Sequence, residues 1–98
     1  MKLNELKGEI AKLANEKGWN QVDSANHQSA KNLAISVSIE ASELLECYQW
    51  EEHANKRKVA EELADIIIYA AQLSNVIDLD LDKAVSDKLK YNRTRSWK

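Results

Sequence analysis

Almost nothing in this chain punctuates a helix. Proline is absent, and the two glycines, Gly8 and Gly18, both lie in the first fifth of the sequence. Proline and glycine mark most tight turns and hairpins, because one locks φ and the other tolerates conformations closed to other residues. The β-branched residues are scattered among strong helix formers, so neither period-2 strands nor hairpin turns are encoded. The chain is therefore read as all-α.

Apolar spacing divides it into four helices. The first runs from about Lys2 to Lys17, with Leu3, Leu6, Ile10, Leu13 and Ala14 recurring at intervals of three and four, and Gly18 closes it as a C-terminal cap. A polar loop, Trp19 to Gln28, follows and carries Trp19 and His27. Ser29 caps a second helix running to about Trp50, whose apolar residues spread round most of its circumference, the pattern of a buried helix. After a charged connection from Glu51 to Lys58, Asn55 caps a third helix from about Lys56 to Asn75. Its run Ile66-Ile67-Ile68-Tyr69-Ala70-Ala71 is apolar on every side, which leaves a face for a partner subunit. Asp80 caps a fourth helix that begins at Leu81, continues to the end and gathers Lys83, Lys88, Lys90, Arg93, Arg95 and Lys98.

The 98 residues suffice for one domain with a modest core, and a 44% hydrophobic content suits a chain that completes that core against a copy of itself. With 14 basic and 16 acidic residues the net charge is −2, so the whole-chain balance signals neither nucleic acid nor a membrane surface. Cys47 has no second cysteine to pair with, and no apolar run approaches the ~20 residues of a membrane span. A cytoplasmic protein is expected.

Four carboxylates then stand out. Glu40 and Glu43 form E-x-x-E in the second helix, and Glu62 and Asp65 form E-x-x-D in the third. Residues three apart share a helix face, so each pair projects as a clamp. A short connection makes the two helices antiparallel neighbours, and counting from the turn at ~1.5 Å per residue puts Glu43 and Glu62 each about 10 Å from it. One such pair in a 31% charged chain reads as ordinary solvated charge. Two pairs at matched heights between apolar helices would repel prohibitively as bare anions, and a divalent cation resolves the conflict. Oxygen ligands without histidine or cysteine favour Mg²⁺ or Mn²⁺ over zinc. The E-x-x-H signature of a di-iron bundle is missing.

The run Asn32-Leu33 through Ser38-Ile39-Glu40-Ala41-Ser42-Glu43-Leu44 to Tyr48-Gln49-Trp50, followed by Glu61-Glu62-Leu63-Ala64-Asp65-Ile66-Ile67-Ile68-Tyr69, resembles the MazG-like all-α nucleotide pyrophosphohydrolases. It looks closest to the short branch that includes the dCTP pyrophosphatases. The resemblance implies Mg²⁺-dependent hydrolysis of nucleoside triphosphates to the monophosphate and pyrophosphate, with Glu40, Glu43, Glu62 and Asp65 as metal ligands. It also implies that Trp19, His27, Trp50 and Tyr69 line a nucleoside pocket, and that Lys88, Asn92 and Arg95 hold phosphates. Glu43 is the choice for the carboxylate that orients or deprotonates the attacking water. The chain departs from the family pattern at Asn26, where an aromatic is usual, at Ser29-Ala30, where proline is frequent, and at Ser38 and Ser42, where glycine is frequent.

The expectation is thus a single MazG-like domain over residues 1–98, a four-helix subunit with its metal site between the second and third helices, assembling as a homodimer or homotetramer. Its role would be house-cleaning of the nucleotide pool, with dCTP the first-guess substrate. The competing readings are a phosphoribosyl-ATP pyrophosphatase and a non-catalytic helical interaction module.

Overall fold

The computed structural model describes residues 2–18, 29–50 and 52–95. Four α-helices order them: α1 (Leu3–Lys17), α2 (Ala30–Glu46), α3 (Lys56–Val76) and α4 (Leu81–Thr94), and no strand occurs among the described residues. Trp19 and His27 lie outside the described residues.

The helix ends follow the local chemistry. Ser29, Asn55 and Asp80 are extended N-caps whose side-chain oxygens accept from Asn32 N–H, from Arg57 and Lys58 N–H, and from Lys83 N–H. Each side chain satisfies donors that the first helical turn leaves unpaired. Gly18 closes α1 at φ 70°, in the left-handed region, with its N–H directed to the carbonyls of Ala14 and Asn15. Asp78, at φ 55°, turns the chain between α3 and α4; aspartate is among the few residues that enter this region readily.

Two boundaries depart from expectation: α4, expected to continue to the end, stops at Thr94 with Arg95 extended, and α2 is shorter as well. α2 ends at Glu46, a turn short of Trp50, because the backbone then tightens: Cys47, Tyr48 and Gln49 N–H donate to the carbonyls of Leu44, Leu45 and Glu46, three residues back. The connection to α3 is longer than the sequence implies.

α2 and α3 form the main antiparallel pair, α1 packs across α3, and α4 leans on α1. Lys7 fastens the α1 side, its Nζ donating to Leu79 O at 2.6 Å and its carbonyl accepting from Asn75 Nδ2 at 3.1 Å. Among the described residues the buried apolar side chains are Ile10, Ala14, Leu33 and Ala71. The reading of α2 as a buried helix does not hold within one chain, where only Leu33 of that helix is buried and Ile35, Ile39 and Leu45 are exposed. Among the described helices α3 is the main neighbour of α2, and much of the apolar surface of α2 is exposed.

Candidate metal centre

The antiparallel pairing of α2 and α3 brings Glu40, Glu62 and Asp65 together, with one carboxylate oxygen from each within 4.8 Å of the others. Glu40 lies with the E-x-x-D pair, and the exposed Glu43 is close enough to act on both Glu40 and Glu62.

Electrostatics shows the strain of this arrangement. Burial, then the neighbouring carboxyls of Glu62 and Glu43 and the charge of Asp65, push the Glu40 carboxyl from 4.5 up to about 7. At Glu62 the contact with Glu40 pulls downward, but burial, Glu43 and Asp65 outweigh it and the net shift is upward. The half-buried Glu40 and Glu62 are thus both harder to ionise than solvated carboxyls, the expected consequence of burial and of like charges side by side. Their remaining oxygens, Glu40 Oε2 and Glu62 Oε2, are buried without a hydrogen-bond partner. An acceptor buried and unpaired is costly, and a hard cation is the partner whose chemistry matches a set of oxygens alone. The residues present therefore fit a divalent metal.

The other expected site residues are dispersed. Tyr69 is half-buried on α3, one turn beyond Asp65. Trp50 sits in the α2–α3 connection, 87% exposed, where with Cys47, Asn55 and Lys58 it lines a hollow of about 310 Å³. Lys88 and Asn92 lie on α4 and Arg95 is its extended C-cap, and the main packing of this helix is on α1 rather than on the carboxylate pair. Lys88 Nζ and the Arg95 guanidinium lie 4.9 and 5.6 Å from the centroid of the Tyr91 ring. One residue that sequence reasoning passed over is Gln72, buried on α3 with an unpaired side-chain nitrogen; the signal was its spacing of seven from Asp65.

A family model described as MazG-like matches residues 35–97, the segment that contains both carboxylate pairs. The chain belongs to the MazG-like family. Among its relatives, dCTP pyrophosphatase 1 of Rattus norvegicus is 33% identical over 103 residues, covering 95% of this chain and 58% of that protein. The Homo sapiens dCTP pyrophosphatase 1 is 30% identical with the same coverage. The chain therefore spans little more than half the length of the curated relatives it matches. A pyrophosphatase from Archaeoglobus fulgidus superposes with a TM-score of 0.78 at 32% identity, covering 97% of this chain and 92% of that one. The cyanophage S-2L MazG-like pyrophosphohydrolase, bound to dGDP and three catalytic Mn²⁺ ions per active site, shares the fold at a TM-score of 0.69 and 24% identity, covering 100% and 84% of the two chains. MazG-like proteins are thus all-α relatives in both sequence and architecture, and no helix among the described residues is long and apolar enough to cross a membrane.

Proposed function

We propose that this chain hydrolyses nucleoside triphosphates to the monophosphate and pyrophosphate, with a divalent cation held by Glu40, Glu43, Glu62 and Asp65. The observation that carries the reading is the pair of buried, unpartnered oxygens, Glu40 Oε2 and Glu62 Oε2, beside Asp65. Family membership and relatives named as pyrophosphatases support it. Mg²⁺ is the expected ion and Mn²⁺ a substitute, dCTP the first candidate substrate, and the cytoplasm the expected location. Residues 1–98 act as a single domain, and two or four copies assemble through the apolar faces left open on α2 and α3.

A divalent cation held there would neutralise charge on the triphosphate and lower the pKa of water. Glu40, Glu62 and Asp65 fix its position from two rigid helices, so the geometry does not depend on a loop. Glu43, exposed beside the cluster, is assigned the proton of the attacking water. Water breaks the anhydride linkage between the α- and β-phosphates, pyrophosphate leaves, and the nucleoside keeps one phosphate. Lys88, Asn92 and Arg95 are assigned to phosphate oxygens, and Trp19, His27, Trp50 and Tyr69 to the nucleoside.

Pyrophosphate release across the ribo- and deoxyribonucleoside triphosphates, with Mg²⁺ and with chelator, tests the proposal. Hydrolysis should need the metal, and Glu43→Gln should reduce kcat by roughly 100-fold or more, the contribution typical of a proton acceptor. Activity unchanged in Glu43→Gln would remove Glu43 from the machinery.

A further inference from the structure

The second half of α4 concentrates one sign of charge. Asp87 is the last acidic residue in the sequence, and its carboxylate is taken by Lys83 Nζ at 2.7 Å. Lys88, Lys90, Arg93, Arg95 and Lys98 follow with no carboxylate among them. The negative end of the helix dipole favours cations in a last turn. It does not account for two of them gathering on one ring: Lys88 Nζ stands 4.9 Å and the Arg95 guanidinium 5.6 Å from the centroid of Tyr91. Like charges held near one another repel, so the ring works against a cost.

Helix spacing sets the arrangement. Lys88 lies three residues before Tyr91 and Arg95 four after it, so both side chains reach the ring from neighbouring turns. Tyr91 also fixes the backbone at Arg95. Its carbonyl accepts from Arg95 N–H at 3.1 Å and from Thr94 Oγ1 at 2.9 Å, where α4 closes and the chain becomes extended. The ring is 55% exposed, so filling the core is not its role. Its negative face attracts a cation, while the N–H donors of that cation stay available on the side away from the ring. Lys88 makes no ion pair among the described residues, which leaves its ammonium for an anion from outside.

We propose that Tyr91 is a positioning residue that holds Lys88 and Arg95 as one preorganised fork for the polyphosphate of the substrate. The proposal rests on the pyrophosphohydrolase reading, in which those two residues and Asn92 contact phosphate oxygens. Lys88, the half-buried Asn92 and Arg95 share one face at i, i+4 and i+7. A polyphosphate is a chain of anionic groups. Two long cationic side chains already held on a ring lose less rotational freedom on gripping it than two that swing independently. Tyr91 touches no substrate in this assignment and acts through the cations.

Three substitutions separate the ring from mere bulk. Tyr91→Leu keeps an apolar side chain and removes the ring, Tyr91→Phe keeps the ring and removes the hydroxyl, and Tyr91→Trp strengthens the attraction for cations. Steady-state hydrolysis of the best-cleaved nucleoside triphosphate is measured with Mg²⁺, beside calorimetric binding of inorganic tripolyphosphate, which carries no nucleoside. Tyr91→Leu should raise KM and the tripolyphosphate Kd by about 5-fold, the loss of two exposed cation–π contacts, while kcat stays within about 2-fold. Tyr91→Phe should restore the parent values, and Tyr91→Trp should bind tripolyphosphate about 2-fold more tightly. A leucine variant that matches the parent, a phenylalanine variant as weak as leucine, or a loss confined to kcat overturns the assignment. If Tyr91→Leu does not fold, Tyr91→Trp decides: tighter tripolyphosphate binding supports the fork, and unchanged or weaker binding overturns it. If no triphosphate is hydrolysed, the functional reading fails, and tripolyphosphate still judges Tyr91: weaker binding by the leucine variant alone supports it, and equal binding or none overturns it.

Discussion

The decisive residue-scale fact is that Glu40, Glu62 and Asp65 cannot all be comfortable as anions. The Glu40 carboxyl, raised from 4.5 to about 7 by burial and its acidic neighbours, makes this testable without any substrate. Between those two values the folded chain binds more protons than the unfolded one. Stability therefore falls as pH rises through that window, and the stabilising proton is gone above the folded value. Lys83, raised above 10.5 by its hydrogen bond and ion pair with Asp87, titrates outside this range. In chelator, urea midpoints measured between about pH 5 and pH 8 should decline and then level off, and Mg²⁺ should flatten the decline by stabilising the ionised carboxylates. A midpoint that climbs with pH in chelator would show that the cluster is not strained. The E-x-x-E and E-x-x-D spacings were legible in the sequence; which carboxylates press on one another was not, because rotation of α2 against α3 is set by packing between the two helices.

At the scale of the element, the helices are local products whose ends are written in single residues. The two glycines make a paired comparison. Gly18 is held at φ 70°, where a Cβ is strained whatever the space, so Gly18→Ala should lower stability by about 1 kcal/mol. Gly8 sits inside α1, and a methyl group added there would meet nothing within 4 Å, so Gly8→Ala should raise stability by roughly 0.5–1 kcal/mol through helix propensity. Denaturant unfolding of the two variants beside the parent settles both, and equal effects of the same sign would contradict the cap. The caps at Ser29, Asn55 and Asp80 were readable for the same reason: a side-chain oxygen reaching two or three residues along its own chain needs no tertiary partner. The end of α2 was not readable, since Cys47, Tyr48 and Trp50 are as apolar as a continuing helix requires.

At the scale of the whole molecule, the described residues bury little apolar surface. Among them Leu33 is the one large side chain with almost no exposure, whereas Ile39, Leu45, Leu63 and Ile67 lie open along α2 and α3. Apolar surface in that quantity on helices this regular suits burial against another copy. Sedimentation at micromolar concentration should show a species heavier than the 11.2 kDa chain, and Ile67→Lys should shift it towards the monomer. A parent protein that sediments as a monomer across that range would mean these faces stay wet. α4 belongs to the same question, because its stripe of Val85 and Leu89 is exposed while its packing is on α1.

What the sequence determined by itself is everything carried by short-range geometry: an all-α chain, four helices, three N-caps, a glycine C-cap, and two carboxylate clamps whose members share a face. Each of these depends on residues within about one helical turn of one another. Tertiary structure alone decided the rest. It grouped Glu40 with Glu62 and Asp65, set α4 on α1, left much of α2 exposed and buried Gln72 Nε2 without a partner. Those outcomes depend on rotation about helix axes and on where a helix stops, and such quantities are fixed by packing between distant segments, which residue spacing within one helix does not constrain.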